Sequence, residues 1–536
     1  MIGWLIFYAL LIVICVWLNN ASSKIGMPVL LAFILLGIII GNIFGENYVF
    51  DNYSVAEKTC TIALIFIMFY GGFGTSWKSA KKVAREASVL ATVGVVVTAG
   101  LTAVFCHFLL KWDWRESILL GSVISSTDAA SVFSILRSRK LGLKNNSAPL
   151  LEMESGSNDP MSYMLTIIAL SLFQGEASGW GMAFLLFKQL VFGAAIGFGI
   201  AYLAITAVHK VSFATSGFDS LFILAIAILS YAIPNLVDGN GYLSAYIVGL
   251  MIGNTQFNGK KQLVHFFDGV TGLMQVIIFF LLGLLARPRL LLDSFLPALA
   301  VFAILLFIAR PTAVFSVLAP LKKYSFKQML LISFVGLRGA ASIVFAIMAL
   351  TETDESLLEH DGFSIVFTVV LISIALQGSL IPFVARRLGQ IDTNEDVMKT
   401  FNDFADETDV QFSQVLVTPD SSWNGKMVKE LNIPKNLLMC LNVKRNGEHV
   451  VPYGEMFIES GDTIILCALA AASDAYVHIV VHPLSRGSKW VGHKVMEYPR
   501  DIKEQLVMIK RGDESIVPNG GTILQEGDIL YINQGQ

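Results

Sequence analysis

The chain has 536 residues, 54% of them hydrophobic and only 15% charged, with a mean hydropathy of +0.65. A soluble domain carries about 25% charge, so an ordinary soluble enzyme is excluded, and a net charge of −3 leaves no basic excess for nucleic acid. Cys15, Cys60, Cys106, Cys440 and Cys467 lie far apart, with no CxxC pair and no zinc spacing, so neither a disulfide framework nor a metal knuckle is indicated. The composition is that of a helical protein that crosses a lipid membrane many times, with no enzymatic centre and no resident cofactor.

Up to residue 390 the sequence consists of apolar runs separated by short polar breaks. A span needs about 20 largely apolar residues to cross ~30 Å of hydrocarbon. Thirteen candidates lie near 3–18, 28–45, 60–76, 87–110, 117–136, 149–173, 182–208, 219–235, 241–256, 266–286, 294–318, 328–350 and 361–385. No Lys or Arg precedes the first and no small-residue cleavage site follows it, so it reads as a retained helix and not as a signal peptide. The odd-numbered loops hold Lys24, Lys78, Lys81, Lys82, Arg85, Arg137, Arg139, Lys140, Lys144, Lys210, Lys260, Lys261, Lys322, Lys323 and Lys327. The even-numbered loops hold only Lys58, Lys111, Arg115, Arg287 and Arg289. The positive-inside rule then places the N-terminus outside and the C-terminus in the cytoplasm of a cell whose inner (plasma) membrane holds the protein.

Ionisable groups inside a span cost ~2.5–3.5 kcal/mol on insertion scales, so each is a functional suspect. Counting 1.5 Å per helical residue, Asp128 in span 5, Asp159 in span 6 and Arg338 in span 12 all lie about 15–16 Å deep. Arg310, in span 11, falls nearer the cytoplasmic third. Asp128 stands in the small, polar string Ser125-Ser126-Thr127-Asp128, and Arg338 in Gly336-Leu337-Arg338-Gly339. Such strings in mid-span mark helices that unwind and offer backbone carbonyls. Ala129-Ala130-Ser131-Val132-Phe133 also resembles Ala340-Ala341-Ser342-Ile343-Val344-Phe345. Two interrupted helices in antiparallel halves point to an inverted-repeat transporter.

Span 6 reads Glu154-Ser155-Gly156-Ser157-Asn158-Asp159-Pro160. Glu154 shares a helix face with Asn158, and Ser155 shares one with Asp159. Pro160 has no N–H, so the Gly156 carbonyl loses its helical partner. A carboxylate, a hydroxyl and free carbonyls form a hard-oxygen site suited to a bare monovalent cation. The bland alternative for Asp128 and Asp159 is a buried ion pair with Arg338. Glu154 is expected to brace the site by pairing with Arg338 rather than to bind an ion. Thr92-Val93-Gly94 resembles the start of a potassium-channel filter, but Val-Val follows where Tyr-Gly is needed. Gly193 and Gly197 in span 7 form a helix-packing pair. His107 is isolated inside its span, which argues against a metal site.

After residue 390 the composition changes. An acidic linker over 391–410 precedes two copies of one unit, 411–477 and 478–536. Trp423-Asn-Gly is echoed by Trp490-Val-Gly, Lys444-Arg445 by Lys510-Arg511, and Gly461-Asp462 by Gly527-Asp528. Each copy reads as short strands, one helix and tight glycine turns, a small α+β module.

The ordered set Thr127-Asp128, Glu154-Ser-Gly-Ser-Asn158-Asp159-Pro160, Arg310-Pro311 and Gly336-Leu-Arg338-Gly339 resembles the NhaP-type cation/proton antiporters over residues 1–390. The resemblance implies thirteen helices with inverted repeats, a homodimer and a mobile core. It implies that cation or proton binds at Asp159, Asp128, Thr127 and Ser155, with Asn158, Glu154, Arg338 and Arg310 in support. Some relatives add a carboxylate on span 3, where this chain has Phe69-Tyr70-Gly71-Gly72-Phe73. Asn158 in place of a second Asp implies electroneutral exchange. The C-terminal copies resemble tandem RCK-C (TrkA-C) modules, which are common on potassium transporters, and imply K+ over Na+. Some such modules bind cyclic di-AMP.

Burial disfavours the charged form of a carboxylate and a nearby cation favours it. Asp159 is therefore expected to hold either a proton or K+/Na+, and that mutual exclusion is antiport. The alternative is a ligand-gated cation channel, whose features here stop at the cytosolic modules.

Overall fold

The computed structural model describes residues 9–18, 29–43, 52–139, 141–173, 179–210, 217–255, 257, 260–353, 358–392, 410–419, 421, 423–431, 433, 437–444, 449–469, 479–484, 488, 490–497, 504–511, 514–516, 518 and 520–534. The chain divides into two compact units, Met1–Asp406 and Glu407–Gln536.

Every apolar run of the first unit is helical where it is described. The helices are α1 (Ala9–Leu18), α2 (Val29–Ile43), α3 (Tyr53–Gly74), α4 (Ala84–Leu110), α5 (Trp114–Val123), α6 (Ala129–Ser138), α7 (Ser147–Phe173) and α8 (Gly179–Lys210). There follow α9 (Phe218–Asn235), α10 (Gly241–Gly253), α11 (Lys260–Leu285), α12 (Phe295–Leu321), α13 (Phe326–Phe334), α14 (Ala340–Glu352) and α15 (Gly362–Arg387). Among the described residues seven helices are long and apolar enough to cross a membrane on their own: α3, α4, α8, α9, α12, α15 and all but the first residues of α11. That number covers only long, unbroken helices among the described residues, so the thirteen expected helices are neither reached nor overturned by it. Spans 5 and 12, which carry the two expected interruptions, are each broken into two half-helices, α5/α6 and α13/α14; α10 is short, and the residues flanking α1 and α2 lie outside the described residues. The long α7 carries buried polar groups that lower its apolarity.

Side-chain caps set several starts. Asn52, Asp113, Asn240, Ser325 and Asp361 each accept a backbone N–H from the first turn of the helix that follows. The breaks have equally local causes. Ser125 Oγ donates to the Ser122 carbonyl, 2.8 Å away, competing with the helical ladder at the end of α5.

Two bundles make up the unit. A flanking bundle contains α2, α3 and α8–α11, and a site bundle contains α4–α7 and α12–α15. In the flanking bundle α3 and α10 approach at glycine. A Cβ on Gly249 would collide with the Phe69 carbonyl, and one on Gly72 with the Tyr246 carbonyl. Gly249→Ala is expected to cost ~1–3 kcal/mol by overpacking, read as a lower midpoint when solubilised protein is heated and assayed by gel filtration. An unchanged midpoint would contradict the contact. Gly193 and Gly197 of α8 pack in the same way on Asn240 and Ser244 at the start of α10.

The site bundle repeats its own plan. Residues 84–173 run as a helix with a π turn (Leu90–Gly94), a broken helix and a long helix. Residues 295–387 run as a helix with a π turn (Leu305–Ala309), a broken helix and a long helix. Thr92-Val93-Gly94 is thus part of a helical π turn. His107 Nδ1 donates to the Trp112 carbonyl, 2.7 Å away, and the ring stacks on Trp114, a packing role. A two-residue antiparallel pair, β1 (Gly142–Leu143) with β2 (Ile391–Asp392), closes the unit; the rest of the expected acidic linker, 393–409, lies outside the described residues.

The second unit holds two four-stranded antiparallel sheets. The first is ordered β3 (Val410–Leu416), β6 (Thr463–Leu469), β4 (Leu437–Val443), β5 (His449–Val450). The second is β7 (Ile479–Pro483), β10 (Ile529–Gln534), β8 (Glu504–Arg511), β9 (Glu514–Ile516), the same order. The duplication extends to side chains. Lys444 pairs with the fully buried Asp462 at 2.8 Å, and Arg511 with the fully buried Asp528 at 2.8 Å. Gly425 and Gly492 both turn with φ near +80° (75° and 87°), as do Gly461 (93°) and Gly527 (86°). Among the described residues each copy also carries a three-residue 3₁₀ turn, Val428–Glu430 or Val495–Glu497.

Candidate functional site

The two helix breaks meet. Asp128 N–H donates to the Leu337 carbonyl at 2.8 Å, joining the non-helical segment 124–128 to the non-helical segment 335–339. Arg338 Nη1 donates to the Ser125 and Ser126 carbonyls at 2.7 and 2.6 Å, and its backbone N–H donates to Ser373 Oγ at 3.1 Å. The carbonyls that the first break sets free are therefore satisfied by the cation of the second. Ser126 and Ser342, one from each half of the repeat, share a hydroxyl contact at 3.2 Å.

The polar face of α7 lies against this crossing. Ser155 Oγ donates to the Thr127 carbonyl at 2.7 Å and accepts from Ala129 N–H at 2.8 Å. Asn158 Nδ2 donates to Thr127 Oγ1 at 2.6 Å. The Asp128 carboxylate turns back on its own helix and accepts from Ser131 N–H at 3.1 Å and from the Ser131 hydroxyl. Gly339 makes room for it, since a Cβ there would overlap the carboxylate. Gly339→Ala is expected to displace Asp128 and raise the half-saturating cation concentration about tenfold, the equivalent of ~1.4 kcal/mol, in a vesicle assay; unaltered half-saturation would contradict the packing.

Asp128 and Asp159 line one cavity of about 180 Å³, together with Ser126, Thr127 and Ser155. Asp159 is 7% exposed. Neither acid is paired with an arginine in the described contacts. The cavity wall runs from Asp159, Gln275 and Phe279 down to Gly74, Glu152 and Asp268, near the helix ends that join the Lys- and Arg-rich loops. The four binding residues expected from the sequence are thus brought together.

The support differs from expectation at one point. Glu154 pairs with Arg310, not with Arg338. Arg310 Nη1 and Nη2 reach the two Glu154 oxygens at 2.7 Å each, with both residues buried. The reason is depth. Glu154 lies five residues before Asp159, about 7 Å along the axis, and so falls short of the level where Arg338 crosses. Arg310 follows directly on the π turn of α12, and Gly336 leaves the space that its side chain fills. Asn158 touches this pair, with Nδ2 3.4 Å from Glu154 Oε1.

Sequence reasoning missed part of the wall. Asp268 and Gln275 of α11 stand seven residues apart on one face of an apolar helix, and that spacing was the available signal. Tyr70 occupies the stretch of α3 where some relatives place a carboxylate, and its hydroxyl lies 3.4 Å from Asp268 Oδ1. Ser373 and Gln377, which brace the second break through Arg338 N–H and the Phe334 carbonyl, carried no signal.

Crossed half-helices around buried acids define a membrane ion carrier, and the comparisons say which kind. The transmembrane sodium/hydrogen exchanger family pattern matches residues 9–387, and the TrkA-C domain pattern matches 412–478 and 479–532. The chain belongs to the sodium/hydrogen exchanger family and is a multi-pass membrane protein with two C-terminal TrkA-C domains. It is 34% identical to the K(+)/H(+) antiporter NhaP of Alkalimonas amylolytica, over 84% of this chain and 79% of that protein. It is also 34% identical to the K(+)/H(+) antiporter NhaP2 of Shewanella sp. strain ANA-3, over 86% and 80%. Its fold is similar to that of the sodium proton antiporter MjNhaP1 from Methanocaldococcus jannaschii, with a TM-score of 0.63 at 24% identity, over 72% of this chain and 98% of that one.

Proposed function

We propose that the protein exchanges K+, or Na+, for H+ across the cytoplasmic membrane, with one cation and one proton competing for Asp159. The observation that supports this most is the shared cavity of Asp128 and Asp159, whose carboxylates are left to a mobile partner because Arg338 is engaged by carbonyls and Arg310 by Glu154. A buried carboxylate without a fixed counter-charge favours a proton or a cation. K+ is favoured by the naming of the relatives at 34% identity. Asn158 stands beside Asp159 where a second Asp would add a charge, and this supports an electroneutral cycle. In this reading the TrkA-C domains are cytoplasmic and regulate transport, and the protein is a homodimer.

The test is dequenching of a pH-sensitive dye in everted vesicles that contain the full-length protein. K+ addition is expected to collapse an imposed pH gradient with no accompanying current. A gradient untouched by K+, Na+ or Li+ would overturn the reading, and a voltage-dependent current would favour a channel.

A further inference from the structure

The site bundle and the flanking bundle meet on the far side of Asp159 as well. Here a second cavity of about 790 Å³ is lined by Glu57 and Thr61 of α3, Tyr163 of α7, Tyr231 of α9, Tyr242 of α10 and Glu352 of α14. It reaches the helix ends opposite the Lys- and Arg-rich loops. Between the two cavities stand Tyr163 and Phe345 of the site bundle and Tyr242 of the flanking bundle. Their ring centroids are 5.0 Å (Tyr163–Tyr242), 5.8 Å (Tyr163–Phe345) and 6.1 Å (Tyr242–Phe345) apart.

At this partition a hydrogen bond joins the bundles next to the proposed ion site. Asn240 Nδ2 donates to the carbonyl of Pro160, the residue that follows Asp159, at 2.8 Å. Asn240 itself is held by the flanking bundle. Its Oδ1 accepts Leu243 N–H at 2.9 Å as the cap of α10, its N–H donates to the Gln189 carbonyl at 3.0 Å, and its carbonyl sits so close to Gly193 that a Cβ there would be 2.7 Å away. Asn240 is fully buried, so an amide donor that lost Pro160 would have no water to replace it.

We propose that Asn240 is a positioning residue for exchange. It acts through the Pro160 carbonyl to hold the Asp159 segment of α7 against the flanking bundle in the conformation that opens Asp159 toward the Lys- and Arg-rich loops. For Asp159 to face the other cavity, α7 moves relative to α10, and this bond breaks. The inference rests on the antiport reading for its purpose, but its test does not depend on transport.

The test uses full-length protein without native cysteines, carrying Ala130→Cys in the cavity wall beside Asp128 as reporter. A charged, membrane-impermeant maleimide is applied separately to each face of sealed vesicles, and the ratio of the two labelling rates reads the ratio of the two conformations. Asn240→Ser keeps an N-cap acceptor for α10 but cannot reach Pro160. It is expected to shift the ratio about fivefold toward labelling from the face opposite the Lys- and Arg-rich loops, the population shift expected for one lost hydrogen bond. Asn240→Asp, which caps but does not donate, is expected to shift it the same way and serves if the serine variant fails to fold. A ratio unchanged in the folded variant overturns the proposal, even if exchange slows. A shifted ratio in a protein that moves no cation would overturn the antiport reading and leave this one standing.

Discussion

Asp159→Asn is expected to reduce cation-induced dequenching to that of vesicles without the protein. The substitution keeps the size of the side chain and removes the charge for which, on the proposed reading, a proton and a cation compete. The hydrogen bonds that join Ser155 and Asn158 to Thr127 and Ala129 do not use its carboxylate and remain intact. The variant is therefore expected to fold, insert and elute in gel filtration as the parent does. Asp128→Asn is expected to be milder, because Asp128 is already held by Ser131 and serves as the second wall of the cavity. Residual exchange with a half-saturating K+ concentration about tenfold higher, worth ~1.4 kcal/mol, is the expected outcome. If Asp159→Asn still dissipates the gradient on adding K+, the competing acid lies elsewhere.

The largest effect on stability is expected at Glu154 and Arg310. Both are buried, and two 2.7 Å bonds join them. Removing one partner strands the other charge in a medium that does not solvate it, at a cost of ~3–5 kcal/mol. Arg310→Met and Glu154→Gln should each lower the heat-denaturation midpoint of the solubilised protein sharply. The double replacement Glu154→Met with Arg310→Met should recover much of the loss, because a well-packed apolar pair avoids the desolvation of both ions. Equal losses in the single and double variants would show that the pair holds something beyond itself, with Asn158 the nearest candidate through its 3.4 Å contact.

How far the sequence could be read depended on what each residue's neighbours in the chain reveal. Ser125-Ser126-Thr127-Asp128 and Gly336-Leu337-Arg338-Gly339 announce their breaks because small and polar residues in mid-span have no other use. The 1.5 Å rise then puts Asp128, Asp159 and Arg338 at one depth. Glu154 was misassigned because its partner is chosen by the π turn of α12, a change of hydrogen-bond register that no residue type encodes. Asn240 looks like any helix cap from its own surroundings; its second bond depends on α7, eighty residues earlier. The duplicated Lys444–Asp462 and Arg511–Asp528 pairs lie in segments whose repetition was plain, but that they touch was not.

Tyr163 lines one cavity and Asp159 the other, only four residues away on the same helix. That is about 6 Å along the axis, where the hydrocarbon around the protein is ~30 Å thick. Aqueous ions entering from both faces would thus carry their electrical potential almost to the centre. Most of the transmembrane voltage would then drop across a layer the thickness of an aromatic ring, giving a local field several times that in the surrounding lipid. A bare carboxylate displaced by a single helical turn would traverse nearly the whole potential difference, whereas one neutralised by a proton or a monovalent cation would carry no net charge across it.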